Sequence, residues 1–185
     1  AFAFAFAIAL LPLAPASASA AADTVTAVDM QTLQNAQRYA VGAPTIPADP
    51  RLVAAAGSHA AYNALNGASG HYETAGLPGY TGDAPRDRVV AAGWSPRIVS
   101  EVATGGNAAL AAVRQLWDAP YHRLGMMHPN AVALGWGHSD AGGRGATVAD
   151  FVYDFGIRPV DFVRSPASGQ GGIPTSWDGR ESPSP

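Results

Sequence analysis

The chain has 185 residues, of which 48% are hydrophobic, a formal net charge of −3 and no cysteine. This length suits one domain with a core of its own. The weak negative charge excludes the basic surface of a nucleic-acid-binding protein. The absence of cysteine excludes disulfides, thiol nucleophiles and cysteine-based zinc sites. All 11 basic residues are arginine, which also excludes Schiff-base chemistry on lysine.

The N-terminal segment AFAFAFAIALLPLAPASASAAAD predicts a signal peptide over residues 1–20. Residues 1–14 are apolar, and Ala-x-Ala patterns between residues 16 and 20 suit a cleavage site. The apolar run is too short to span a bilayer, so no transmembrane segment is predicted. No basic region precedes it, and we expect the chain to begin within the signal. The protein is therefore expected to be secreted, either extracellular or associated with the cell wall; an uncleaved lipid-facing anchor is the alternative.

Two helices are predicted in the first third of the mature chain. The first covers Asp29 to Tyr39. The second runs from Pro50 to Asn66, because Asp49 is a good N-cap, Pro50 suits the first helical position and Gly67 can end the helix in the left-handed conformation. One face of the first helix is expected to be buried, formed by Met30, Leu33, Ala36, Gln37 and Ala40.

Two more helices are predicted before the chain changes character. A short third helix lies within residues 79–94, with Asp83 as its cap and Gly93 as its end. The fourth starts near Asn107 and stops at Pro120. Its spacing predicts a buried stripe, formed by Leu110, Val113, Leu116 and Trp117.

Strands are predicted mainly in the last third. The segment RIVSEVA is a short strand or an extended segment, and AVALGWGH and TVADFVYDFG are two strands joined by the hairpin-type connection DAGGRGA. The segment RPVDFVRSP is a candidate for another strand. Helices followed by antiparallel strands indicate an α+β fold. Residues 165–185 are rich in Ser, Pro and Gly and predict a tail or linker outside the core.

The motif GHSDAGG raises the question of a nucleophile elbow at Ser139. An elbow serine needs a helix after it and a histidine further along the chain. The segment AGGRGATV is a poor helix start, and no histidine follows His138. We therefore interpret this motif as the turn of a hairpin and do not assign Ser139 as a nucleophile.

Several blocks in fixed order resemble the CAP superfamily, the SCP-domain relatives of cysteine-rich secretory, plant pathogenesis-related and venom allergen proteins. The blocks are LQNAQRYAVGAPTIPADPRLVAAAGSHAAYNALNG, GHYETAGLPGYTGDAPRDRVVAAGW, SEVATGG, AVRQLWDAPYHR and VALGWGH. They are most similar to the bacterial secreted branch and cover residues 29–157, within a domain that we assign to 29–164. The resemblance implies a three-layer α-β-α sandwich with a central antiparallel sheet.

The resemblance also implies a cleft with two histidines and two acidic residues. His71 and His122 match the histidines, and Glu101 matches one acid. The other acidic position falls on Arg114, a departure that places a cation at the cleft. Glu73, two residues after His71, is a further cleft candidate. Zinc or magnesium is the metal implied, and His71, His122 and Glu101 would hold it weakly because the guanidinium opposes a divalent cation.

These expectations favour a secreted binding or interaction domain with a His/Glu cleft. Several members of the superfamily bind lipids or sterols, so the resemblance implies a lipid, another apolar ligand or a component of the cell envelope as partner. The alternative is a secreted hydrolase in which Glu101 or a histidine is the general base, with or without a metal. A cell-wall-associated structural module with the tail as a spacer is a third possibility. His59, in the second helix, is expected to be packed and hydrogen-bonded.

Overall fold

A computed structural model describes residues 18–95, 98–157 and 162–182, with side chains from residue 27 onward. Five helices, three strands and one short 3₁₀ turn are present in this part of the chain. In order they are α1 Ala18–Ala40, α2 Pro50–Asn66, α3 Pro85–Ala91, β1 Ile98–Gly105, α4 Ala109–Asp118, α5 Pro120–Met126, β2 Ala131–Ser139, the 3₁₀ turn Ala141–Gly143 and β3 Ala146–Tyr153.

The three strands form one antiparallel sheet in the order β1-β3-β2. Helices α2 and α3 cover one face, while α1, α4 and α5 cover the other. All residues of the central strand β3 are therefore buried, and its two faces contribute to separate apolar clusters. The structure confirms the predicted α+β class and the three-layer α-β-α sandwich.

Helix α2 begins and ends where its sequence predicts. The Asp49 side chain accepts a hydrogen bond from the Arg51 backbone N–H at 2.9 Å, and Pro50 is the first helical residue. Gly67 closes the helix with a φ of 59°, a conformation that glycine adopts without strain. These local signals fix the ends of the helix that carries His59.

Helix α2 lies directly on the backbone of β2. A Cβ atom added to Gly135 would overlap the backbone of Leu52 and Val53, and one added to Gly137 would overlap that of Ala56 and Gly57. Only glycine permits this distance between the helix and the strand. The two glycines of LGWGH therefore set the depth at which α2 sits on the sheet.

The buried face of α1 differs from the predicted one. Ala36 and Ala40 are exposed, whereas Gln34 and Arg38 are fully buried beside Met30. The polar groups are satisfied from distant segments: Gln34 Nε2 donates to the Met126 carbonyl at 2.8 Å, and Arg38 donates to the carbonyls of Pro44 and Met126 at 2.7 and 2.6 Å. Burial lowers the pKa of Arg38 to about 10, although the nearby Tyr153 opposes this shift.

The predicted caps of α3 and α4 are each wrong by one residue. Ala84 is the N-cap of α3, and the Asp83 carboxylate instead accepts from the Tyr80 hydroxyl at 2.7 Å. Ala108 is the N-cap of α4, and the Asn107 side chain donates to Gln115 Oε1 at 2.5 Å. In both cases a side-chain partner draws the polar residue away from the helix end.

The fourth predicted helix is two helices. Asp118 ends α4, and Pro120, predicted to stop the helix, is the first residue of α5. Proline suits that position because its missing N–H would have no partner there. Val113, Leu116 and Trp117 form the buried stripe of α4, but Leu110 is 37% exposed and does not belong to it.

The GHSDAGG motif is the predicted hairpin. β2 ends at Ser139, the 3₁₀ turn follows and β3 returns beside β2. Ser139 Oγ accepts from the Ala141 backbone N–H at 3.2 Å, so its role is in the turn. Of the further strand predicted over 158–166, residues 158–161 lie outside the described residues, and 162–166 contain no strand.

The predicted signal peptide lies mostly outside the described residues, and its last residues, 18–20, belong to α1. It stays a prediction. None of the described helices is both long enough and apolar enough to cross a membrane.

The contact between α2 and β2 yields a stability prediction. We expect Gly137→Ala to lower the free energy of unfolding by about 3 kcal/mol, since the added methyl group meets rigid backbone. Gly57→Ala, on the facing helix, adds the same methyl group into open space and should raise stability by up to about 1 kcal/mol. Urea unfolding of both variants tests the contrast; equal losses would contradict it.

Candidate functional site

Five ionisable side chains are buried together between α2, α3 and the sheet. They come from α2, the loop after it, α3, β1 and β3, and each is at most 9% exposed. We call them the buried charge cluster: His59, Glu73, Arg88, Glu101 and Asp150. His71 lies at its border, with its side chain 33% exposed.

Glu101 is held by a cation on one side and by an imidazole on the other. Arg88 Nη2 donates to Glu101 Oε2 at 2.7 Å, and His71 Nδ1 lies 2.9 Å from Glu101 Oε1. The same Arg88 nitrogen donates to the His71 carbonyl at 2.9 Å. Arg88 therefore holds two groups in place: the Glu101 carboxylate, which orients the His71 ring, and the backbone of His71. The remaining imidazole nitrogen, Nε2, is the one left for an outside group.

Glu73 fastens the loop between α2 and α3. Its carboxylate accepts from the backbone N–H groups of Thr81 and Gly82, at 2.5 and 3.2 Å. His59 Nδ1 lies 2.9 Å from Glu73 Oε1, and His59 Nε2 lies 3.0 Å from the Gly70 carbonyl. The expectation that His59 is packed and hydrogen-bonded is confirmed. Glu73, a predicted cleft residue, is a buried member of the cluster.

Asp150 faces Glu101 across the β1–β3 pair. It is fully buried, and neither carboxyl oxygen has a conventional hydrogen-bond partner among the described residues. Burial, reinforced by the negative charge of Glu101, raises the pKa of Asp150 well above its usual range, against the opposing charge of Arg88. Protonation of Asp150 would spare the cluster a third negative charge.

His122 is hydrogen-bonded to the tail. It lies in α5, and its Nδ1 is 2.6 Å from Oε1 of Glu181, in the tail. Gly125, in the same helix, lies against the Ser100 side chain. Successive strand residues point to opposite faces of a sheet, so Ser100 and Glu101 are on different faces. Among the described residues no hydrogen bond or ion pair joins His122 to His71 or Glu101. Their convergence in one cleft stays a prediction.

Arg114 is not the cation that meets Glu101. It is exposed on α4, and none of the ion pairs within the described residues includes it. The reason is its place in the fold, since α4 packs on the sheet face opposite to Glu101. Arg88 supplies the guanidinium instead.

The predicted metal ligands do not fit a metal site. The described parts of the chain contain no group of three or more His, Asp or Glu side chains that could hold an ion. Glu101 is already bonded to Arg88 at 2.7 Å, and a divalent cation would meet that guanidinium. We therefore assign no chemistry to a metal here.

A separate groove runs between α1 and α2 beside β2. Its volume is about 720 Å³. The α2 side consists of small residues, among them Ala54, Gly57 and Ala61, and Trp136 lies at β2. The Trp136 indole N–H is buried and has no acceptor among the described residues. The polar side chains of the lining are Gln31, Ser58 and His138.

Sequence reasoning missed Arg88, Asp150 and the groove. Nothing local separates buried Arg88 from exposed Arg86 in the segment PRDRVVA, although position 88 is adjacent to buried Val89. Asp150 lies in a strand whose other residues are mostly apolar, ADFVY, and a lone acid in such a run is a usable signal. The alanine-rich sequence of α2 gave no indication of a groove.

Comparisons with known structures agree with this architecture. An extracellular SCP-domain protein from Bacillus anthracis superposes with a TM-score of 0.64 at 17% identity, over 78% of this chain and 45% of that one. An outer surface protein of Borrelia burgdorferi gives 0.58 at 16%, over 68% and 90%. A cysteine-rich secretory protein of Staphylococcus aureus gives 0.52 at 9%, over 71% and 39%. No curated protein matches the sequence.

The helical layers and the three-stranded sheet define an SCP-type α-β-α domain. The sequence profile of the cysteine-rich secretory protein family, CAP, matches residues 31–153, and the chain belongs to that family. The chain spans less than half of the Bacillus anthracis protein. At these identities the structural likenesses show the fold alone. The relatives are described as extracellular or outer-surface proteins.

The buried charge cluster yields a second prediction. We expect Arg88→Met to lower the free energy of unfolding by about 3–5 kcal/mol, because Glu101 and Glu73 would stay buried without their cation. Arg86→Met, on the exposed side of the same helix, should change it by less than about 0.5 kcal/mol. Denaturant unfolding measures both; similar effects would contradict the role of Arg88.

The raised pKa of Asp150 yields a third prediction. The folded state holds this proton more tightly than the unfolded chain, so the stabilisation is complete below about pH 4 and is lost as pH rises towards the folded pKa. Asp150→Asn removes this loss, and its stability relative to the natural protein should increase from pH 4 to pH 8. Asp154→Asn, at an exposed position, is the control. A difference that does not vary with pH would contradict the assignment.

Proposed function

We propose that this CAP domain is a secreted binding domain for an apolar or amphipathic small molecule of the lipid class, and that the groove between α1 and α2 is its site. The observation that carries the proposal is a groove of about 720 Å³ with small apolar walls. Ligand pockets are commonly of this size and apolar, with a few polar groups that orient the ligand.

The polar side chains of the lining suit an amphipathic ligand. Ser58 and His138 offer hydrogen-bonding groups to a carboxylate, ester or hydroxyl oxygen of a ligand. The apolar part of the ligand would then lie along Ala54, Gly57 and Ala61.

Secretion is supported by two independent observations. The N-terminal apolar run with its small-residue cleavage pattern predicts export. The structural relatives are described as extracellular or outer-surface proteins. A chain without cysteine can fold outside the cell without depending on disulfide formation.

Hydrolysis is the second candidate, and one contact favours it. His71 Nδ1 lies 2.9 Å from Glu101 Oε1, and the imidazole is one-third exposed. A carboxylate that orients a histidine in this way allows the other ring nitrogen to act as a general base towards water. No serine, threonine or cysteine nucleophile is hydrogen-bonded to His71 among the described residues. Binding in the groove therefore has the stronger support.

Filling the groove tests the proposed function. A Cβ at Gly57 meets nothing within 4 Å, so Gly57→Leu should fold and place its side chain in the groove. We expect it to weaken binding of a fluorescent long-chain fatty acid at least tenfold, about 1.4 kcal/mol.

Arg114→Leu is the matched control for this experiment. It adds the same side chain at an exposed helical position on α4, away from the groove, and should bind as the natural protein does. If Gly57→Leu folds and binds the fatty acid normally, or if the natural protein binds none, the groove is not the lipid site.

A further inference from the structure

The tail crosses the helical face formed by α4 and α5. Residues 165–182, which we call the strap, contain no helix or strand. A cavity of about 600 Å³ separates much of the strap from the domain. Asp118, Pro120 and Arg123 line it from the domain side, and residues 166 and 170–177 line it from the strap. This part of the strap therefore does not fill the space in front of the helices.

One residue fastens the strap by hydrogen bonds. Glu181 Oε1 accepts from both the backbone N–H and the Nδ1 of His122, each at 2.6 Å. The Glu181 side chain is fully covered, and that of His122 is only 13% exposed. Within the described residues, these are the hydrogen bonds that join the strap to the rest of the domain; its others are internal, such as Arg180 N–H to Asp178.

The attachment is incomplete. Glu181 Oε2 is covered, yet has no hydrogen-bond partner among the described residues. An ionised carboxylate ordinarily accepts several hydrogen bonds, so half of this group has lost water without replacement. The open cavity behind the strap is a second sign that this segment is loosely packed on the domain.

We propose that the strap is releasable and that Glu181 is an internal carboxylate ligand of His122, which a carboxylate from outside the chain can replace. While the strap is docked, Glu181 occupies His122 Nδ1 and its backbone N–H. Release exposes both donors together. His122 would then serve as part of a binding site for an acidic group, a function independent of the lipid groove.

The test is hydrogen exchange at the His122 amide in the full chain, measured by NMR at neutral pH. This amide lies in the first turn of α5, where helical N–H groups have no partner within the helix. We expect Glu181→Ala to increase its exchange at least tenfold and to increase the picosecond-to-nanosecond mobility of residues 165–182. Asp178→Asn, in the strap but away from His122, should change neither.

Adding acetate to Glu181→Ala then distinguishes two roles of Glu181: a replaceable carboxylate ligand of His122, or a purely structural attachment of the strap. In Glu181→Ala, acetate should restore slow exchange at the His122 amide and shift the imidazole resonances, whereas the natural protein should need far more acetate. If exchange of the His122 amide is unchanged in Glu181→Ala, Glu181 does not hold the strap. If exchange is faster but acetate neither slows it nor shifts the imidazole resonances, Glu181 is not a replaceable ligand of His122. Denaturant unfolding verifies that each variant is folded.

Discussion

The ion pair between Arg88 and Glu101 is the contact on which the α2–α3 side of the domain depends. It joins α3 to β1 at 2.7 Å, and the same guanidinium reaches the His71 and Gly82 carbonyls at 2.9 and 3.1 Å. The loop between α2 and α3, helix α3 and strand β1 thereby meet at one cation. A fully buried arginine is favourable only with such partners, because removing it from water is expensive. The position of the loop that carries His71 therefore depends on both α3 and β1.

The balance of charge inside the cluster decides what the neighbouring histidine can do. Two carboxylates face one guanidinium, His59 is placed beside Glu73, and burial and the charge of Glu101 raise the pKa of Asp150. These charges compensate one another internally, which leaves little for a bound cation to neutralise. His71, at the border of the buried charge cluster, is oriented by the Glu101 carboxylate, and its side chain is one-third exposed. Such an arrangement suits a rigid hydrogen-bonding group at the surface better than a metal ligand.

The parts of the fold that local chemistry decides could be predicted from sequence, and the parts that distant contacts decide could not. Asp49, Pro50 and Gly67 act within a few residues of themselves, so both ends of α2 were predictable. Gln34 and Arg38 are buried because carbonyls near residue 126 accept their hydrogen bonds, a fact that no helical periodicity contains. The site divides in the same way. His71 lies 2.9 Å from Glu101, two residues that the family resemblance placed in one cleft, and the cation beside Glu101 is Arg88, which no local pattern indicates.

The small residues of α2 connect the fold to the proposed binding function. On the sheet side of the helix, Ala56 and Ala60 allow close approach to β2, which the two strand glycines permit in turn. On the neighbouring side, the same shortness leaves the space between α2 and α1 unfilled, since no side chain from Ala54, Gly57 or Ala61 is long enough to close it. A helix with larger residues at these positions would stand further from the sheet and close the groove. The high alanine and glycine content of α2 blurs the helical periodicity of its sequence. The same content creates both the close contact with the sheet and the groove beside it.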